Sequence, residues 1–384
     1  MEYRNGPFTD FTLTCSSIYS LKPGVMNASS NSRHFVMAGI IALTIVILFV
    51  LGLEIYWRSK GNLVSFNDDK VLWAHERRKV YQPADRSTVF AGSSRIKWDI
   101  DIETWENLTG EKAVQLALVG TSPRKILEDL ANDENFKGKL IVDVMEFVFF
   151  TFDTMRFDRS SREALEYYYN ETPAQRGSAL LGFALESKLV MIDEGKFGLN
   201  QLLLEVSQNN NRPGVRAAPI PFQPEYIIVT ARRQNKFTPV FLNNPDLIEK
   251  HVEHWKRDMM GGGPPEIPKG KALDSLCQVY KTLIDKIESR GGTVLFIRPP
   301  ASGDYLASEI HFFPRQQYWD YFIEYCKVPG IHFADYPATA NFVCTEGSHL
   351  NPDDAVKYTA SLVNTLRTEY EWSFPVSKSG ISKN

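Results

Sequence analysis

The chain has 384 residues, 43% of them hydrophobic and 23% charged, enough for two or three domains with sizeable cores. Its 43 basic and 46 acidic side chains leave a net charge of -3, which speaks against a nucleic-acid partner and the basic surface that one needs. Cys15, Cys277, Cys326 and Cys344 stand far apart without a C-x-x-C pair, so a zinc ribbon and a disulfide-dense scaffold are excluded, while one bridge stays open.

Residues 1–34 are polar and rich in Ser and Asn, and are expected to form a disordered tail, with Met26 an alternative start. Residues 35–53 read FVMAGIIALTIVILFVLGL, 19 positions without a charge. As a helix they cover roughly 28 Å, close to the hydrocarbon thickness of a bilayer. Tyr56, Trp57, Arg58 and Lys60 follow, an aromatic and basic group suited to headgroups. No small-residue cleavage motif follows the run, so residues 35–57 are predicted to be an uncleaved signal anchor that crosses the membrane once. Lys22 and Arg33 precede it and Arg58, Lys60 and Lys70 follow it, a difference that does not choose the side; a short leading tail and a large following domain resemble an anchor with its N-terminus inside.

Residues 58–86 form a charged linker whose middle suits one amphipathic helix. From residue 87 the pattern alternates. Strands are expected at 88–91, 114–119, 140–149, 293–297 and 331–333, and helices at 124–131, 271–289, 315–326 and 352–369. Pro123 and Pro352 sit at helix starts, and Gly291-Gly292 closes the helix that precedes the fourth strand. This rhythm predicts an α/β fold, a mostly parallel sheet with helices on both faces. The domain is drawn from residues 87–150 and 271–370, with a polar tail at 371–384. Between them lie about 120 residues, 151–270, with helices expected at 162–169, 179–191 and 246–259 and a breaker, Gly261-Gly262-Gly263-Pro264-Pro265. They are expected to form a helical cap over the strand ends, where doubly wound sheets place their ligands.

Three short blocks carry candidate chemistry. Phe90-Ala91-Gly92-Ser93-Ser94-Arg95 ends the first strand in a sharp turn that presents a hydroxyl. Gln115-Leu116-Ala117-Leu118-Val119-Gly120-Thr121-Ser122-Pro123 ends the second in a glycine with an available N–H. Near the C-terminus, Glu346 precedes His349 by three positions, so its carboxylate can turn back onto the imidazole and fix its tautomer. Ser94, His349 and Glu346 thus compose a candidate nucleophile, base and orienting acid.

Together these blocks resemble the SGNH (GDSL-like) hydrolase superfamily, with Gly-Ser-Ser-Arg in place of Gly-Asp-Ser-Leu. The resemblance covers about residues 87–368 minus the insertion, and is strongest to membrane-anchored bacterial proteins whose relatives take part in acylating cell-surface polymers. It implies a three-layer α/β/α fold, flavodoxin-like in plan. It also implies a serine esterase or O-acyltransferase without a cofactor, with Ser94 as nucleophile and the N–H groups of Ser94 and Gly120 at the oxyanion. The substrate would be an acyl ester, by this resemblance on a cell-surface glycan, with the domain outside the cytoplasm and a membrane-bound acyltransferase as a candidate partner. Two departures stand out: Glu346 replaces Asp, and the third block, Ile141-Val142-Asp143-Val144-Met145-Glu146-Phe147, lacks the family's oxyanion Asn. Thr121 or Ser122 could replace that donor. The missing Asn motivates the competing reading, an inert module that binds a surface polymer or assists an acyltransferase.

Arg95 and Arg298 stand at strand ends, where they suit an anionic substrate group, although a structural salt bridge to Glu146 or Asp143 is the reading slightly preferred. His251 and His254, three apart on a helix, are expected to lie on a solvated face rather than to bind metal. His311 and His332 are expected to be satisfied core or rim side chains, and Tyr167-Tyr168-Tyr169 to pack within the cap. No dinucleotide, P-loop or zincin motif is present.

Overall fold

The computed structural model describes residues 28–81, 87–199, 203, 226–254, 256 and 266–375. The chain divides between Leu53 and Glu54 into two compact units. The first carries most of α1 (Ala28–Ser59). Ser32–Ser59 contains an apolar window of mean hydropathy 2.9, none of it buried in protein, and is long enough to cross a membrane. Its one mid-helix hydroxyl, on Thr44, donates to the carbonyl of Ile40 at 2.8 Å, so no polar side chain there is left unsatisfied. The helix starts before position 35, which shortens the expected tail; residues 1–27, with Cys15 and Met26, lie outside the described residues.

The second unit is an α/β domain around a five-stranded, wholly parallel sheet. It opens with α2 (Lys70–Arg77), capped by the Asp69 carboxylate, and then β1 (Ser87–Ala91). After these come α3 (Ser94–Asp99), α4 (Ile102–Thr109), β2 (Lys112–Gln115), α5 (Arg124–Asn132) and β3 (Lys139–Asp143). The intervening segment supplies α6 (Arg159–Asn170), α7 (Pro173–Glu186), an antiparallel hairpin of β4 (Ile227–Val229) and β5 (Asn235–Phe237), and α8 (Pro245–His254). The sheet then resumes with α9 (Lys271–Glu288), β6 (Thr293–Arg298), α10 (Gly303–Phe312), α11 (Trp319–Cys326), β7 (Gly330–His332) and α12 (Pro352–Thr368). The strand order is β2-β1-β3-β6-β7, with Val89 opposite Val114 and Leu140, and Ile141 opposite Leu295.

Alternate strand residues enter different cores, as the two-residue period of a strand requires. Val89, Leu140, Val142, Val294 and Phe296 pack with side chains of α5, α9 and α11. Phe90, Ile141, Leu295 and Ile297 pack with those of α3, α4 and α12. Such strands are buried on both sides and read as unbroken apolar runs.

Two expected strands prove shorter. The run at 140–149 ends as a strand at Asp143, and Glu146–Phe149 is a helical turn. A short apolar run has no period that separates strand from buried helix, and the aromatic 147–150 stretch fits either. The second strand ends its ladder at Gln115 rather than 119, although Leu116 N–H and Leu118 N–H still bond the Phe90 and Gly92 carbonyls at 2.8 and 3.1 Å. The expected polar tail begins packed: Trp372 N–H bonds Leu366 O at 2.9 Å, and Trp372 and Phe374 lie against the second core. Residues 261–265 and 376–384 lie outside the described residues. Cys277, Cys326 and Cys344 are free thiols, all buried.

The inserted hairpin, which periodicity did not reveal, is fastened to the domain by charge. Arg233, at φ 59° in its turn, extends a fully buried guanidinium to the Gln115 and Ala117 carbonyls at 2.7 and 3.1 Å. Its Nε bonds Asp68 at 2.7 Å, and Asp68 also pairs with the buried Lys97 of α3. Burial, with Arg233 nearby, holds the Lys97 amine well below its usual value. Asp68 therefore compensates two buried basic groups from the linker. Asp68→Ala is expected to cost about 3 kcal/mol, the scale for orphaning one side of a buried ion pair, read as a lowered denaturation midpoint of the detergent-solubilised chain. An unchanged midpoint would show that the two basic groups find other compensation.

Candidate active site

The turn from β1 into α3 is built around one carboxylate. Gly92 sits at φ +152°, and a Cβ there would fall 2.1 Å from Asp143 Oδ1, so only glycine fits. Asp143, the last residue of β3, accepts the N–H of Ser93 at 2.8 Å and of Ile96 at 3.1 Å. It thereby satisfies donors at the start of α3 that the helix itself cannot bond. Ser94 is the first residue of that helix, and among the described residues nothing hydrogen-bonds its hydroxyl.

A second tight loop faces the same helix. Gly347, at φ +95°, lets the chain fold back so that the Glu346 carboxylate accepts the N–H of Ser348 at 3.1 Å and of His349 at 3.0 Å. Its other oxygen meets His349 Nδ1 in a very short contact. Burial raises the Glu346 carboxyl, but His349, the Ser348 N–H and His251 outweigh it and bring it below its ordinary value.

Three consecutive residues of this loop touch α3. Arg95 Nε donates to Ser348 Oγ at 3.3 Å, the Trp98 indole stacks on the His349 ring at 4.5 Å and 29°, and Leu350 N–H donates to Asp99 Oδ1 at 2.9 Å. Trp98 is four residues after Ser94, one turn along the same helix face, so the imidazole lies against the face that begins with Ser94. The acid–base contact is formed; no hydrogen bond joins Ser94 to His349. All three side chains are buried, Ser94 at 3%, Glu346 at 3% and His349 at 0% exposure.

The other expected site residues separate. Gly120, at φ +63°, lies exposed in the turn beyond β2, two residues past Leu118, whose N–H bonds the Gly92 carbonyl. Ser94 is likewise two residues past Gly92, so the two strand ends run side by side. Ser122 is buried: its N–H bonds Phe157 O at 2.9 Å, and its hydroxyl accepts the Arg124 N–H at 3.4 Å. That is a structural place rather than a substrate-facing one. Arg95 and Arg298 form the salt bridge that was the alternative to an anion anchor, and with a carboxylate the sequence did not flag. Arg95 pairs with Glu309 at 2.7 Å, and Arg298 with Glu309 at 2.6 Å and Glu146 at 3.0 Å. Both guanidinium groups are at most 2% exposed, so the quartet needs no substrate anion to neutralise it.

His251 corrects the sequence expectation. It is 4% exposed, not solvated, and packs edge-on to Phe241 at 5.8 Å on the side of α8 that faces Glu346. Among the described residues no metal-binding cluster occurs. With Trp98, Phe237 and Phe241 it belongs to an aromatic cover, Phe237 lying 6.3 Å from the His349 ring. A cavity of about 200 Å³ reaches Glu346 and Gly347 between Tyr305, Val252 and Lys256, without Ser94 or His349 in its lining. Trp98 and Asp99 carry no motif of their own, and Asp143 and His251 take roles other than those their sequence context offered; all four roles come from packing that only the fold reveals.

No protein-family model matches this sequence, and no curated protein matches it.

Burial pushes Asp143 up to about 6, against the N–H groups of Ser93 and Ile96 and the charge of Arg95. The folded chain then keeps a proton that the unfolded chain has released between about pH 4 and 6, so stability falls as pH rises through that window. Glu309, pushed up to about 7 by burial, acts with the same sign over an overlapping range. Asp143→Asn is expected to flatten the pH 4–6 part of the profile and leave the higher part, as measured by unfolding midpoints from pH 4 to 8. An unchanged slope would place the proton elsewhere.

Proposed function

We propose that this chain is a single-pass, membrane-anchored serine esterase or O-acyltransferase with an SGNH-like, three-layer α/β/α domain. One observation carries the reading: the Glu346–His349 pair is locked by three contacts onto the short helix that begins with Ser94. The chain order of nucleophile turn, glycine-ended second strand and C-terminal acid–base loop agrees with the resemblance drawn from the sequence.

In this mechanism Ser94 Oγ attacks an acyl carbonyl while His349 Nε2 takes its proton. The Ser94 and Gly120 N–H groups stabilise the oxyanion. The ester C–O bond then breaks, His349 returns the proton to the leaving alkoxide, and Ser94 keeps the acyl group. Water or a sugar hydroxyl, deprotonated by His349, attacks that acyl-enzyme; the acyl–Oγ bond breaks and His349 returns the proton to Ser94 Oγ. Glu346 holds the imidazole tautomer and stabilises its charge. An O-acylated cell-surface glycan as substrate, an extracytoplasmic domain and a membrane-bound acyltransferase partner follow from the resemblance alone.

A second reading is favoured by the burial of Ser94 and His349 and by the block at 141–147, which has Asp143 and Glu146 but no Asn. A missing oxyanion donor typically costs about 100- to 1,000-fold in turnover, and an inert, polymer-binding module would have this form. Hydrolysis of p-nitrophenyl acetate by the full chain in detergent separates the two. The esterase reading expects turnover that falls by about 1,000-fold or more in Ser94→Ala and in His349→Ala. Absence of turnover, with glycan binding indifferent to Ser94→Ala, would support the inert module.

A further inference from the structure

α7 is an anomaly on this surface. Residues 177–185, Gly-Ser-Ala-Leu-Leu-Gly-Phe-Ala-Leu, carry no charge, and no residue of the helix is buried. Leu180, Leu181 and Leu185 are 54%, 71% and 54% exposed. Leu181 and Leu185 are one turn apart, with Leu180 and Ala184 beside them, so they form one outward apolar stripe. A protein fold gains nothing from such a helix in water.

Its position gives the stripe a purpose. The turn after α7 is bound to the residues at which the long apolar run ends. The N–H groups of Val190 and Met191 donate to the Glu54 carboxylate at 2.9 and 3.2 Å. Arg58 Nη2 donates to Lys188 O at 2.9 Å, and the Trp57 and Phe197 rings meet at 4.6 Å. Glu54 follows directly on Leu53, so a bilayer crossed by residues 35–53 has its surface within a turn or two of α7's end. The surroundings suit a headgroup layer: Tyr56 is exposed with the Lys60 ammonium 5.5 Å from its ring centre, and Arg58 and Lys188 are exposed as well.

We propose that α7 lies in the membrane interface with the Leu180–Leu181–Leu185 stripe among the upper acyl chains. The partner is a lipid surface. Three leucines fall well short of the roughly 1,200 Å² that a specific protein partner buries, whereas a short apolar stripe beside an anchor suffices for interfacial contact. The proposal rests on the membrane-anchor reading and not on catalysis.

The test uses the full chain with Cys15→Ser, in nanodiscs of one copy each, carrying an environment-sensitive fluorophore on Leu181→Cys. Cys277, Cys326 and Cys344 are buried and do not compete for label under native conditions. Parallel samples carry the label on Leu48→Cys, inside the apolar run, and on the exposed Lys357→Cys. The expected result is emission from position 181 that is blue-shifted and quenched about two-fold by lipids spin-labelled near the headgroup. Position 48 is quenched by deep labels and position 357 by neither. Quenching at 48 without quenching at 181 overturns the interfacial helix and leaves the anchor. No lipid quenching at 48 overturns the anchor and this proposal with it. Burial of 181 only when several copies share a vesicle assigns the stripe to a second copy and also overturns the proposal.

Discussion

Three N–H groups converge on the carboxylate of Glu346, those of Ser348 and His349 and the imidazole Nδ1–H, and the candidate site depends on where that carboxylate is held. The positive φ of Gly347 makes the turn sharp enough for a side chain to bond the residue three positions on. Asn351, capping α12 through the N–H of Asp354 at 2.9 Å, fixes the chain on the far side. Between these two anchors His349 has little freedom, and the stacked Trp98 removes more. An imidazole oriented this way has its tautomer chosen before any substrate arrives, which is the property a general base requires.

The same edge of the sheet is crowded with buried charge. Asp143 under the α3 turn, the Arg95–Glu146–Arg298–Glu309 quartet and the Lys97–Asp68–Arg233 group are each compensated internally. Buried ion pairs seldom add net stability, but removing one partner is costly, so such groups hold a geometry rather than strengthen the fold. Here they hold α3, the ends of β1, β2 and β6, and the inserted hairpin in one arrangement. The hairpin and α8 then close an aromatic cover over His349. The insertion thus packs directly against the imidazole that Glu346 orients.

All five parallel strands were legible in the sequence, because a strand buried on both faces writes itself as a short apolar run between breakers. Helices such as Lys271–Glu288 and Pro352–Thr368 were equally plain from period and caps. The hairpin Ile227–Val229 with Asn235–Phe237 was not, since three-residue strands give too few alternations to register. Of the candidate site, Glu346 and His349 could be paired from spacing alone because their contact is local. Glu309 could not be joined to Arg95, which lies 214 positions earlier, because that pairing exists only through the fold. His251 misled for a related reason: two histidines among polar residues read as a wet helix face until a long-range aromatic cluster covers one of them.

The claim that this edge holds a reactive serine is tested most directly by locating a covalent adduct. The full chain would be treated with a fluorophosphonate, digested, and the modified residue identified by mass spectrometry. A single phosphonyl adduct on Ser94 is expected, absent when the protein is first unfolded. An adduct on any other residue, or an unmodified Ser94 in a chain that hydrolyses esters, would contradict it.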